Sequence, residues 1–297
     1  MASKIPFIDH PYKNLPNFII ALTGQSNSQG YNTSYDPNNP KDQPNERIFG
    51  WNPNVEKWQI ADLNTESLGW NYPTFKALGQ QCSAFHFAKK LIEIYPNIRP
   101  GIINVGVSGV SIAFWTNWQP NDKYYTLTQN KLNFFNGRNT FPDNKSRPQG
   151  YIFDLHITEI TLALNYLPST NKIVNVICWD QGETDSELDY YSVSLPQVIN
   201  RYKDTLKSLG FYNPSMFGFI AISTDGLLYT YVINRVNDIL KTLNTDSDPH
   251  TRYVDATDLQ VSILPGTTSS PDIYHYNSES QRIIGERCFY QYNIIFS

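Results

Sequence analysis

The sequence is short of cysteine, of clustered charge and of long apolar runs. Its three cysteines, Cys82, Cys178 and Cys288, are odd in number and each lies inside an apolar element. That excludes a disulfide framework and a cysteine-based metal site, and reads them as small core residues. At Cys178, beside Trp179, a reactive thiol is the alternative to a buried strand residue. Charged residues make up 17% of the chain, the 23 lysines and arginines are scattered, and the formal net charge is -4. Nucleic-acid binding needs a clustered basic surface, which no segment supplies. No segment is apolar enough to span a bilayer, and Met1 to Pro6 lacks the apolar core of a secretory signal. The expectation is a soluble chain with neither a membrane nor a nucleic-acid partner; oligomeric state and compartment stay open.

Histidine is scarce as well, with five in the chain. His10 and His250 lie in polar or proline-flanked stretches, and His86 falls on an amphipathic helix pattern. His156 stands one turn from Glu159, a spacing that resembles metal ligation but lacks a third ligand, so a solvated helix face is the reading there. Only His275 has a carboxylate at a useful offset in a loop, Asp272 three positions earlier, an arrangement in which the acid orients the base.

What the chain does hold is aromatic surface and a regular alternation of patterns. There are 20 tyrosines, 6 tryptophans and 19 prolines, suited to sugar binding, to protein contacts or to the core itself. With 297 residues, 40% of them hydrophobic, a sizeable core is within reach, and one domain over 1–297 is the expectation. Apolar runs of strand length begin at Phe18, Ile102, Ile173 and Met216, Arg252 to Asp255 reads as a short final strand, and helical periodicity lies between them, at 84–95, 151–167, 195–209 and 232–243. Asn277 or Ser278 caps a closing helix, with Ser278 and Gln281 at capping-box spacing. The fold class is therefore α/β, a doubly wound and mostly parallel sheet of about five strands flanked by helices in three layers. Two long insertions, 31–73 and 115–150, read as loops; Trp51, Trp58, Trp70, Trp115 and Trp118 in them are candidates for the walls of a cleft.

Around this frame three polar clusters follow apolar runs or close the chain. Phe18 to Thr23 feeds directly into Gly24-Gln25-Ser26-Asn27, which presents a hydroxyl at the carboxyl end of a buried strand. After Ile173 to Cys178 comes Trp179-Asp180-Gln181-Gly182-Glu183-Thr184-Asp185. The neutral side-chain amide of Gln181 can donate to an oxyanion. Glu183 and Asp185 are two carboxylates of the kind a glycosidase needs, or braces of their loop. A further glycine-bearing turn, Gly106 to Ile112, follows Ile102 to Val105, where a backbone amide can face a developing oxyanion.

Gly24-Gln25-Ser26-Asn27, the Trp-x-Gln-Gly-Glu-x-Asp form at Trp179 to Asp185 and Asp272-x-x-His275, in that order along nearly the whole chain, together resemble the SGNH hydrolases. Within these they are similar to the sialate O-acetylesterase and acetylxylan-esterase branch of carbohydrate esterases. The resemblance implies a serine esterase that removes O-acetyl groups from a carbohydrate through an acyl-enzyme, with no metal and no organic cofactor. It assigns Ser26 as nucleophile, His275 as base, Asp272 as the acid that orients it, and the Gly109 amide with the Gln181 side chain as oxyanion donors. Gln25, Asn27, Glu183 and Trp115 are the substrate-binding candidates. Where the family has Gly-Gly-Thr this chain has Ser108-Gly109-Val110, which leaves Gly106 as the fallback for Gly109. The rival reading is a glycan-binding or particle-surface protein on the same fold with little turnover; a glycosidase using Glu183 and Asp185 ranks third.

Overall fold

Seven consecutive residues, Phe18–Gly24, are buried, which suits a strand in the middle of a sheet covered on both faces. In the computed structural model, which describes residues 5, 12–64, 79–138, 141, 145–169, 172–185, 188–224, 230–244, 248–263 and 266–297, this stretch is the central strand β1. It is followed by the single-turn helix α1 (Ser26–Gln29) and by β2 (Phe49–Asn52), β3 (Lys57–Ile60), α2 (Ser83–Ile94) and β4 (Pro100–Gly106). Then come α3 (Tyr125–Asn136), α4 (Tyr151–Asn165), β5 (Val176–Asp180), α5 (Leu188–Ser208), β6 (Gly218–Ile222), α6 (Thr230–Thr242) and β7 (Thr251–Val254). A hairpin of β8 (Val261–Ile263) and β9 (Pro271–Tyr276) leads into the closing helix α7 (Ser278–Ile295).

The main sheet runs β3-β2-β4-β1-β5-β6-β7, with every neighbouring pair parallel except β2 and β3. The chain winds outward from β1 in both directions, so the crevice at the carboxyl end of β1 is the switch point where open α/β sheets bind ligands. Alternation along the strands sorts two cores. Ile19, Ala21, Ile177 and Trp179 face one layer with α4 and α5; Phe18, Ile20, Leu22, Val176 and Cys178 face the other with α2 and α7. All three cysteines are buried. Among the described residues no helix is long and apolar enough to cross a membrane.

Neither insertion is loop throughout: 115–150 holds α3, and 31–73 adds two strands. The main sheet has seven strands because β2 and β3 come from within 31–73, a segment whose Asn, Pro and Asp content suggested loops. What makes them strands is a cross-strand tryptophan pair: Trp51 and Trp58 lie opposite each other with ring centroids 5.6 Å apart. Their indole N–H groups donate to Glu159 Oε2 at 2.8 Å and to the Ala163 carbonyl at 3.0 Å, both on α4. The same contact revises α4. His156 and Glu159 are buried, not solvated: Nδ1 of His156 and the Tyr202 hydroxyl are 2.8 Å apart, and burial pushes the imidazole down to about 3. Burial raises the Glu159 carboxyl, partly offset by the Trp51 hydrogen bond. Trp70 and His10 lie outside the described residues. At α7 the cap is Asn277, whose side chain accepts from the Ser280 amide at 2.9 Å, while Gln281 turns inward to the Asn27 carbonyl at 3.0 Å.

Candidate active site

The site begins with a glycine that nothing else can replace. Gly24 ends β1 at φ +154°, and a Cβ there would sit 2.0 Å from the carbonyl oxygen of Asp180 at the end of β5. That close approach lets the Gln25 amide bond the same carbonyl at 2.9 Å and turns the chain sharply, so that Ser26 starts α1 at the switch point. Ser26 borders a cavity of about 300 Å³, together with Gln25, Ser108, Gly109, Glu183, Thr184, Tyr274 and His275.

Asp272 and His275 lie on strand β9, not in a loop as the sequence suggested. On a strand, positions i and i+3 fall on opposite faces; here the pair is nonetheless joined, His275 Nδ1 standing 2.7 Å from Asp272 Oδ2, within a hairpin whose register shifts between Val261 and Ile263. Asp272 is buried, and its Oδ1 accepts the Tyr274 amide at 3.2 Å. His275 reaches the cavity, so the structure brings Ser26 and the Asp272–His275 pair to one place from opposite ends of the chain.

Gly109 also borders the cavity, in the left-handed region at φ +67°, with open space where a Cβ would stand. Gly106, the fallback, closes β4 in register with Gly24, and a Cβ there would meet Ser28 Oγ at 2.2 Å, so its smallness serves packing beneath α1. Gln181 is placed differently from its expected role. It is fully buried, its amide nitrogen donates to Asp185 and, at 3.3 Å, to the Val110 carbonyl, and it does not line the cavity. Asp185 is buried too, holding Ser111 Oγ at 2.6 Å and the Ile112 amide at 2.8 Å, with Lys131 Nζ at 3.3 Å. These two residues brace the β4 and β5 loops against each other, and Asp185 does not face a cavity with Glu183 as a glycosidase pair must.

Of the substrate-binding candidates, Gln25 and Glu183 line the cavity and Asn27 and Trp115 do not. Asn27 is a crosslink: its amide donates to Glu183 Oε1 at 2.6 Å and to the Tyr274 carbonyl at 3.0 Å, and its oxygen accepts the Tyr276 amide at 3.1 Å. Gln25 bonds Glu183 and accepts from Thr184 Oγ1 at 3.0 Å. Trp115 is wholly buried, stacked edge-on against Trp179 and bonded to Thr23 Oγ1 at 3.2 Å, so it presents no face to a sugar. Trp51 and Trp58 are buried at the sheet edge, and Trp118 packs on Tyr124. The aromatic flank of the site is instead tyrosine: Tyr274 on the lining and Tyr31, whose ring centroid is 4.6 Å from that of His275. Tyr274 was in view as the third position of Asp-x-x-His; Tyr31, Ser108 and Thr184 carried no sequence signal of their own.

Residues 16–293 match the profile of a family described as carbohydrate esterase, sialic acid-specific acetylesterase. No curated protein sequence matches significantly. Among solved structures, a protein from Arabidopsis thaliana is similar with a TM-score of 0.65 at 17% identity, over 95% of this chain and 100% of that one. NanS is similar at 0.61 and 15%, over 94% and 97%. A carbohydrate acetylesterase from Xanthomonas citri gives 0.51 and 17% over 92% of this chain, which spans 55% of that protein. At such identities the structural likeness speaks for the fold; the family match covers nearly the whole sequence. The chain belongs to the sialic acid-specific acetylesterase family of carbohydrate esterases and is a carboxylic ester hydrolase.

Proposed function

We propose that this protein is a serine O-acetylesterase acting on an acetylated carbohydrate through an acyl-enzyme. The observation that carries the reading is that Ser26, His275 and Gly109 border one cavity while buried Asp272 holds Nδ1 of the imidazole from behind. In the scheme, Ser26 Oγ attacks the acetyl carbon as His275 takes its proton, and Asp272 keeps the tautomer and stabilises the imidazolium. The tetrahedral oxyanion faces the backbone amides of Ser26 and Gly109. His275 then returns the proton to the departing sugar hydroxyl, and a water activated by the same imidazole releases acetate. Tyr274 and Tyr31 offer stacking faces for a sugar ring that buried Trp51, Trp58 and Trp115 do not.

The test of the substrate class is acetate release from O-acetylated sialic acids and O-acetylated xylo-oligosaccharides, with 4-nitrophenyl acetate as a generic ester. Turnover of at least one acetylated sugar is expected. Hydrolysis of the generic ester with none of the sugars would remove the carbohydrate from the proposal. The scheme routes no step through a metal, and among the described residues no group of three His, Cys, Asp or Glu is placed to hold one. Exhaustive dialysis against EDTA is therefore expected to leave kcat unchanged. Loss of activity restored by one divalent ion contradicts the scheme.

A further inference from the structure

The base and its acid stand on a hairpin that, among the described residues, makes no ladder with the main sheet, whereas the nucleophile starts α1 just beyond the central strand. Something must hold the two halves in register. The chain that leaves α1 does this with successive residues. The Gly30 amide bonds the Asn27 carbonyl at 2.9 Å and the Tyr31 amide bonds the Ser26 carbonyl at 3.1 Å, which fixes the segment to the nucleophile turn. Tyr31 lays its ring on the imidazole of His275. Asn32 donates its side-chain amide to Asp272 Oδ2, the oxygen that also meets His275 Nδ1. Its own carbonyl accepts Ser262 Oγ from β8 at 2.9 Å.

Asn32 is one of two non-glycine residues with positive φ among those described, at +57°. A residue kept in this sparsely populated region, where glycine is cheaper, is held for its side chain. We infer that Asn32, backed by the Tyr31 ring, is a positioning residue for the Asp272–His275 pair. The inference rests on the triad proposed above. With its other oxygen held by the Tyr274 amide, Asp272 is fixed in one rotamer by two hydrogen bonds besides the one it makes to His275. A carboxylate so fixed limits the orientations open to the imidazole whose Nδ1 it bonds, on the cavity that Ser26 also borders.

Asn32→Gly separates positioning from folding, because glycine tolerates the backbone conformation while losing the amide. The expected result is a kcat for 4-nitrophenyl acetate lower by roughly 10²-fold, the scale of a small misplacement of reacting groups, with KM within about twofold. Tm should be equal or higher. Asn32→Asp keeps the shape but sets a carboxylate against Asp272. It should lower kcat further and move the acid limb of the kcat/KM–pH profile upward by about one unit, since added negative charge favours the imidazolium. Tyr31→Ala, which removes the ring beside the imidazole, should lower kcat as well. Proton NMR gives a readout that needs no turnover: the downfield Nδ1 proton of His275 should be sharp in the wild type and exchange-broadened in Asn32→Gly. Wild-type kcat, an unmoved acid limb and an equally sharp resonance in the Asn32 variants overturn the positioning role. If the triad reading itself is wrong, the result is different: Ser26→Ala retains activity whatever the Asn32 variants do.

Discussion

Replacing Ser26 by alanine is expected to lower kcat on acetate esters by about 10⁴-fold or more, with the fold unchanged. The size follows from what is lost. Without Oγ there is no acyl-enzyme, and His275 and the backbone amides can only assist direct attack by water. The fold should survive because the turn at Ser26 is set by backbone features, namely Gly24 packed on Asp180 and the Gln25 amide on the Asp180 carbonyl. A serine-directed fluorophosphonate should label wild-type protein at Ser26 and leave Ser26→Ala unlabelled, as peptide mass spectrometry would show. Retention of full activity with an unchanged melting curve moves the nucleophile elsewhere and takes the triad with it.

The second large effect concerns stability. Asp180, which follows the buried Trp179 at the end of β5, is itself fully buried, and neither carboxyl oxygen has a hydrogen-bond partner among the described residues. Burial pushes its carboxyl up to about 8. In the unfolded chain a carboxyl titrates near 3.9. Between these values the folded state keeps a proton that the unfolded state releases, so stability falls as pH rises from about 4 towards 8. The gap corresponds to a loss on the order of several kcal/mol. An amide at position 180 keeps the shape and has no charged form to bury. Asp180→Asn is therefore expected to be close to wild type in denaturant unfolding at pH 4 and more stable by a widening margin up to pH 8. A margin that stays constant with pH, or a variant less stable at pH 8, shows that Asp180 is charged in the fold.

Much of this was legible because the chemistry sits at strand ends. β1, β4, β5 and β6 all carry buried apolar runs, and Ser26 and Gly109 follow such runs closely. The hydrogen bond between Asp272 and His275 likewise spans a sequence offset of only three residues. What was not legible depends on partners far along the chain. Trp51 and Trp58 look like exposed loop aromatics until α4 offers Glu159 and the Ala163 carbonyl. Gln181 has the right chemistry for an oxyanion donor, but Asp185, four residues later, claims its amide. Asn32 is one asparagine in an asparagine-rich stretch, and its pairing with a residue 240 positions away leaves no local trace.

The β8–β9 hairpin makes the two halves of the proposed triad thermodynamically separable. The main sheet, which ends in the Ser26 turn, is held by its ladders, whereas the hairpin carrying Asp272 and His275 is tied to the rest through side chains of Asn27, Tyr31, Asn32 and Ser262 and through Tyr276, which is buried in the core and donates its hydroxyl to the Ser223 carbonyl at 3.1 Å. Segments held by few contacts open at a smaller free energy than the whole molecule. Lifting the hairpin would part the proposed base from its nucleophile while the main sheet stays formed, so the temperature at which the site fails is set by these few ties and can be retuned at the polar ones without altering the sheet.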